Sequence, residues 1–434
     1  MKTLILACLI SISALTKANT TLQPSTSKDS VAVKVEAFDP EAATQRYLET
    51  LTPEAKQKSD SYFEGGYWLM LWNLVYSIVV AWVFLALGLS RWIKRLASRA
   101  KNINVQNLIY IGFYFLFAAL LTFPLSIYEG FIREHQYNLS NLTFGGWIGE
   151  EFKGLMLSIV FGSLILMLIY MAIRKVKEKW WIWASGIAFF FAVFGMFIGP
   201  VFITPIFNKY QPLAEGKLKD EILSMARANG VPATNVYQFD ASKQSDRISA
   251  NVSGIGSTIR ISLNDNLLKK CTPAEIKSVM AHEMGHYVLN HVYKGMVLII
   301  IIIALGFAFV NWALHRSIRI WGEKWNISDI ADIGSLPLFI VLFSVFFFFA
   351  SPVLNNFSRT IETEADYFGL NAAQEPDGFA SVSMKLSEYR KINPGQLEEI
   401  LFYDHPSGRV RVHNAMIWKG EHLHKSVCVE TKKE

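Results

Sequence analysis

Six stretches of the chain are mostly apolar and free of charge, each near or above the roughly 20 residues that an α-helix needs to cross about 30 Å of hydrocarbon. They run Gly65 to Ser90, Val105 to Tyr128, Gly154 to Ile173, Trp180 to Asn208, Gly295 to Leu314 and Ile333 to Ser358. A single run of this kind can be a buried core helix, but six of them predict membrane spans. Pro200 and Pro205 predict an end or kink in the fourth. Trp68, Trp72, Trp180 and Trp181 lie at run ends, where interfacial aromatics belong. Ahead of the runs, Met1 to Ala18 holds a short apolar core, Leu4 to Leu15, followed by small residues. This pattern is that of a signal peptide, with a retained first anchor as the alternative. Residues 19–64 read as an exposed polar segment with a short helix around Pro40 to Leu51.

Two larger polar regions remain, residues 209–294 and 359–434, separated by the last two spans, 295–358. Two crossings return a chain to the side it left, so these regions can build one domain beside the four-span part at residues 65–208. Within the first region, Lys217 to Ala228 reads as an amphipathic helix, and Asn235 to Phe239 and Thr258 to Leu263 as strands.

Composition agrees with this division. Of 434 residues, 18% are charged and 52% belong to the hydrophobic set, which excludes an ordinary soluble globule, a disordered chain and a fibrous repeat. A formal charge of +6 is compatible with nucleic-acid binding, but in a membrane protein basic residues gather in loops on one side, so no nucleic-acid partner is expected. The three cysteines, Cys8, Cys271 and Cys428, have no CxxC spacing, so metal chemistry would fall to His and carboxylate groups.

The sharpest signal is His282-Glu283-Met284-Gly285-His286. On a helix, positions four apart point about 40° from each other, so the two histidines become neighbouring ligands on one face. Glu283 then sits beside the metal, placed to take a proton from an activated water and pass it to the leaving amine. The helix is predicted independently by Thr272-Pro273-Ala274-Glu275, an N-cap with proline at the first turn and the return glutamate of a capping box. A catalytic zinc needs a third protein ligand. Glu362 and Asp366 share a face of the helix that starts where the last span ends, so Glu362 can bind the metal while Asp366 orients a ligating imidazole. Glu364 points away from that face by about 200°.

These residues resemble the type I CAAX prenyl endopeptidases, integral-membrane HExxH zinc metalloproteases, and more distantly the HtpX-like membrane proteases. The resemblance is carried by Ala281 to His291, by Asn356 to Gly369 with its SRxxExxAD pattern, by Pro205 to Met225, by Ser249 to Leu268, and by His405-Pro406 through Arg411. It implies one zinc per subunit on His282, His286 and Glu362, with Glu283 as base and Asp366 behind the ligands. By the same resemblance, His405 lies near the transition-state oxyanion and Arg411 braces the acidic residues around the metal. Ser249, Ala250 and Asn251 look like the family's edge strand, which takes substrate backbone by strand addition. Many members have Asn where this chain has Ser249, which leaves backbone pairing as the contact there. His135, His291, His315, His413, His422 and His424 read as bystanders, His291 lying more than two turns beyond His282 on the same helix.

The expected fold is an α-helical multi-pass membrane protein, six spans plus a signal peptide or seventh span, with a small α+β zincin-type catalytic domain at the membrane face. The expected partners are the lipid bilayer and peptide or protein substrates, membrane-associated or lipidated ones among them, and the style of the leader suggests a bacterial inner membrane. Arg91 to Asn104 holds five basic residues and no acid, and Arg174 to Lys179 four basic and one acidic, which predicts that these loops are cytoplasmic and the catalytic regions face outward. The eukaryotic enzymes it resembles place theirs toward the cytosol. A non-catalytic scaffold or transporter with a structural zinc site is the alternative function, and an intact Glu283 argues against it.

Overall fold

The computed structural model describes residues 38–254 and 259–430, with residues 423–430 as backbone only. The expected leader, Met1 to Ala18, lies outside the described residues, as does most of the polar segment after it. That segment resumes as α1 (Pro40–Leu48), whose first amides are capped by the Asp39 carboxylate. Helix α2 (Pro53–Ala86) starts twelve residues before its apolar run because Thr52 caps it and its charged first turns are helical too. Gly88, at φ 80°, turns the chain into the short basic helix α3 (Leu89–Ala97), and α4 (Ile103–Ser126) follows. Then come α5 (Phe144–Leu157), α6 (Ser163–Val176) and α7 (Trp180–Ile198). Helix α7 ends just before Pro200, in a π-type turn over Gly199–Ile203, as the two prolines there predict.

The sheet of the polar region is built from β1 (Tyr210–Pro212), β2 (Val236–Phe239), β3 (Ala250–Ser253) and β4 (Arg260–Asn264), in the order β1-β2-β4-β3. Strands β2 and β4 are parallel and β3 is antiparallel to β4, so β3 lies at an edge. Helices α8 (Lys217–Ala228), α9 (Asp265–Lys270) and α10 (Pro273–Val288) complete the layer. Ile222, Val236, Ile261, Leu263, Leu267, Met280 and Met284 form its core and are essentially inaccessible to solvent. Each such burial is worth about 1.5–3 kcal/mol.

Two long helices then leave and re-enter this layer, α11 (His291–Trp325) and α12 (Leu336–Ala373). The chain closes with α13 (Pro376–Leu386), α14 (Gln396–Phe402) and α15 (Gly408–Glu430). Helix α12 is continuous from the last apolar run through Glu362 to Ala373, although Pro352 lies inside it. Proline removes the amide that would serve the carbonyl of Phe348. The Ser351 hydroxyl donates to that carbonyl at 2.8 Å, and Asn356 Nδ2 donates to the Pro352 carbonyl at 2.6 Å, so the backbone stays satisfied.

Among the described residues, five helical stretches are long and apolar enough to cross a membrane: 53–86, 103–136, 144–207, 291–325 and 333–373. The third is 64 residues long and contains the third and fourth expected runs. It folds at Lys177, at φ 53°, where a three-residue turn replaces a loop and α6 packs back on α7. Phe84, Tyr110, Tyr170, Trp180, Val310 and Phe339 pack at the centre of these helices. Polar groups among them pair: Tyr110 with Ser90 at 2.6 Å, Tyr170 with Ser335 at 2.8 Å, and Trp180 Nε1 donating to Asn311 at 2.7 Å. Lys94 meets Asp332 at 2.5 Å and Arg174 donates to Asn104 at 2.9 Å, which gathers three connections at the end of the bundle where α12 begins. Helix α10 of the sheet layer packs against the other end of α12.

Candidate metal centre

Helix α10 is fixed by its first turn. Thr272 caps it and Glu275 returns a bond to the Thr272 amide at 2.7 Å, so the expected capping box forms. Glu275 also accepts from Ser381 at 2.5 Å and Lys385 at 2.7 Å, tying α10 to α13. The crossing of α10 over α12 depends on two glycines. A Cβ on Gly369 would lie 3.0 Å from the backbone nitrogen of His282, and one on Gly285 would lie 3.2 Å from Ala365 Cα. Only glycine lets the two backbones approach this closely, and the approach carries Glu362 to the histidines.

There His282 Nε2 and His286 Nε2 stand 3.2 Å apart, with Glu362 oxygens 3.2 and 3.4 Å from them. One ligand atom from each of the three side chains falls within 4.8 Å of the others, and Glu362 and His282 are buried. Two imidazoles and a carboxylate form a donor set that suits zinc. Glu362 Oε2 is buried and faces the rings of His282 and His405 at 3.2 and 3.4 Å without a well-aligned hydrogen bond. That state is costly for a carboxylate oxygen unless a cation satisfies it, so the residues fit a metal ion.

Behind His282, Asp366 Oδ1 is 2.8 Å from Nδ1, a short contact that is not well aligned as a hydrogen bond. Arg411 clamps Asp366 with Nε at 2.9 Å and Nη2 at 2.6 Å. Burial would push the His282 pKa down, but the close carboxylates of Asp366 and Glu362 outweigh it and raise it to about 9. His286 goes the other way, to about 4, through burial and then the neighbouring His282 charge. Glu283 is raised to about 7, chiefly by burial. Its carboxylate makes no hydrogen bond or ion pair among the described residues, and it faces a cavity of about 220 Å³.

That cavity is bounded by Ser249 and Ala250 on the sheet side and by His282, Glu283, His405 and Arg411 on the helical side. Ser249 immediately precedes β3, whereas Ala250 and Asn251 are in it; Asn251 does not line the cavity. His405 Nδ1 contacts Asp404 at 2.8 Å. All the expected residues except Asn251 thus meet in one place. Strand β3, at the edge of the sheet, borders the cavity through Ala250.

Several contributors were not foreseen. Arg359 donates through Nη1 to the carbonyls of Glu399 and Tyr403, each at 2.5 Å, and so holds the loop that carries His405. Its place in the SRxxExxAD pattern was the available signal. His291 is not two turns along the α10 helix. Asn290, at φ 58°, ends that helical run, and His291 turns back to put its Nδ1 2.9 Å from His286 Nδ1. Glu364 reaches His291 Nε2 at 3.1 Å. An asparagine, which tolerates left-handed backbone, was the one hint of this break. His422 lies stacked on Trp418 at the far end of α15, away from the cavity.

The family model described as Peptidase family M48 matches residues 212–419, and that described as CAAX prenyl protease N-terminal, five membrane helices, matches residues 39–209. The chain is 31% identical over 338 residues to the uncharacterized metalloprotease YhfN of Bacillus subtilis, covering 77% of this chain and 79% of that protein. It is 28% identical over 317 residues to CAAX prenyl protease 1 of Saccharomyces cerevisiae, covering 70% of each. Among solved structures, that of S. mikatae Ste24p superposes with a TM-score of 0.70 at 26% identity, covering 87% of this chain and 94% of that one.

Proposed function

The chain belongs to peptidase family M48 and is a membrane metalloendopeptidase, and on that premise we propose that its metal is zinc, held by His282, His286 and Glu362, with Glu283 as general base. The observation that carries this reading is the convergence of three ligand atoms beside a half-buried, unpaired Glu283 carboxylate that lines a cavity bordered by an edge strand. Zinc, when bound, polarises a carbonyl and acidifies a water. The remaining chemistry belongs to the chain. The backbone of Ser249 to Asn251 takes an extended peptide along the free edge of β3. Glu283 accepts a proton from the attacking water and returns it to the leaving amine. His405 donates to the oxyanion as charge develops there, and Arg411 with Asp366 keeps the His282 ring aimed. A structural zinc site has no use for an unpaired base, and family membership sets aside the scaffold or transporter alternative.

The yeast and other relatives are named CAAX prenyl proteases. For this chain we propose peptide segments of membrane-associated or lipidated proteins as substrates, since residues 209–294 and 359–434 form the catalytic part directly on α11 and α12. The fold at Lys177 supports six crossings, which leaves both catalytic regions on one side. The opposite end carries α3, Arg174 to Lys179, and Arg316, Arg319 and Lys324 from α11. The positive-inside rule makes that end cytoplasmic, so the cavity faces outward from a bacterial cytoplasmic membrane. A reporter fused after Glu434 that is active only in the cytosol would overturn this orientation.

The central test uses purified full-length protein, a peptide library, and metal analysis with and without chelator. Wild type should carry zinc and cleave; Glu283→Gln should carry zinc without cleaving. Equal cleavage by both defeats the assignment of the base.

A further inference from the structure

We infer that His291 and Glu364 are positioning residues for the metal centre, forming a relay that fixes the tautomer and ring angle of His286. This inference rests on His286 being a metal ligand. The geometry admits one pattern of protons. If Nε2 of His286 offers its lone pair to the metal, the ring's hydrogen is on Nδ1. Nδ1 must then donate to His291 Nδ1, 2.9 Å away. His291 therefore accepts at Nδ1 and carries its own hydrogen on Nε2, which faces Glu364 Oε2 at 3.1 Å. Glu364 can only accept, and Lys294 Nζ, at 2.5 Å, holds it charged and in place. Every donor in the series meets an acceptor, which holds only with both imidazoles neutral and each in a single tautomer.

The arrangement parallels the one behind His282, where the carboxylate of Asp366 backs the ring and Arg411 backs the carboxylate. Ligating histidines need such a partner at the second nitrogen, because it selects the tautomer and makes the ligand more basic. For His286 no carboxylate reaches Nδ1 directly, and the His291 ring bridges the distance. His291 is only 3% exposed, so a buried polar ring is spent at this position rather than an apolar side chain. The left-handed Asn290 is what turns it back toward His286.

The test is metal affinity of full-length purified protein by chelator competition, together with the visible spectrum of the cobalt-loaded form. His291→Phe keeps a ring and removes both hydrogen bonds; it should weaken zinc binding by about 10- to 100-fold and alter the cobalt bands, with thermal unfolding of the metal-free protein unchanged. His291→Gln offers an acceptor and a donor on one side chain and should return affinity to within about threefold of wild type. Should the phenylalanine variant not fold, Glu364→Leu cuts the relay at its half-exposed end and should still lower affinity. Wild type that binds zinc together with a folded His291→Phe or Glu364→Leu variant that binds it equally well overturns the relay alone. Wild type that binds no metal overturns the metal reading and the relay with it.

Discussion

Replacing Gly369 with alanine adds one methyl group on the line where α10 and α12 cross, and it should damage the metal centre without touching a ligand. In most helices this change is favourable by about 0.5–1 kcal/mol, because alanine loses less backbone entropy than glycine. Here the new Cβ would lie 3.0 Å from the backbone nitrogen of His282 and 3.2 Å from its Cα. Neither atom can swing aside, so the helices must separate by roughly 0.5 Å to reach ordinary contact, and overpacking of this kind costs about 1–3 kcal/mol. The same separation moves Glu362 away from His282 and His286, now 3.2 and 3.4 Å from it, whereas a metal site tolerates about 0.5 Å. Gly369→Ala should therefore lower the thermal midpoint, weaken zinc binding in chelator competition, and reduce turnover by about tenfold or more. Gly149→Ala serves as the control, since a Cβ there meets nothing within 4 Å; it should be neutral or mildly stabilising. A Gly369→Ala protein with wild-type zinc affinity and an unchanged or raised midpoint would refute the close-crossing account.

Other outcomes follow from the same geometry. Activity requires ionised Glu283, so it is lost as pH falls through that group's pKa; burial puts this at about 7, and a bound dication nearby favours the carboxylate and moves it lower. The acid limb of kcat/KM should thus have its midpoint below 7, and one above 7 contradicts the assignment. Arg359→Lys loses the planar guanidinium whose Nη1 serves the carbonyls of Glu399 and Tyr403 while Nη2 donates to Asn356, so turnover should fall about 10- to 100-fold with zinc content intact, a split visible by metal analysis beside kinetics. Asp366→Asn keeps the shape but removes the charge behind His282, and chelator competition should register a loss of about 10- to 100-fold in affinity. Stripping the metal should lower the unfolding midpoint, since a ligand at a hundred times its Kd contributes about 2.7 kcal/mol; no change would mean that the ion adds nothing to the folded state.

The parts of this molecule that were legible in its sequence are those set by local chemistry. Charge-free runs, the Thr272 to Glu275 box and the four-residue spacing of His282 and His286 each act within a turn or two of helix, so periodicity and side-chain type suffice to find them. The details that were not legible lie where one residue's backbone decides the path. Lys177 and Asn290 both carry a positive φ, and Asn290 alone is left-handed helical; the first turns the two apolar runs of one 64-residue stretch back on each other, and the second swings His291 back onto His286. Neither residue type demands such a backbone; asparagine tolerates it, which is a hint at position 290, and lysine gives none. Pro352, inside the last apolar run, does not break its helix, because Ser351 and Asn356 make hydrogen bonds to the backbone carbonyls beside it, so the run and the acidic segment form one continuous rod. That continuity has a mechanical consequence for the metal centre. Glu362 and Asp366 ride on a helix anchored among the membrane helices, while His282 and His286 ride on one anchored in the sheet, and Gly285 and Gly369 fix the distance between them. The geometry of the site is therefore set by how membrane bundle and sheet layer meet, and a ligand list read from spacing alone could not contain it.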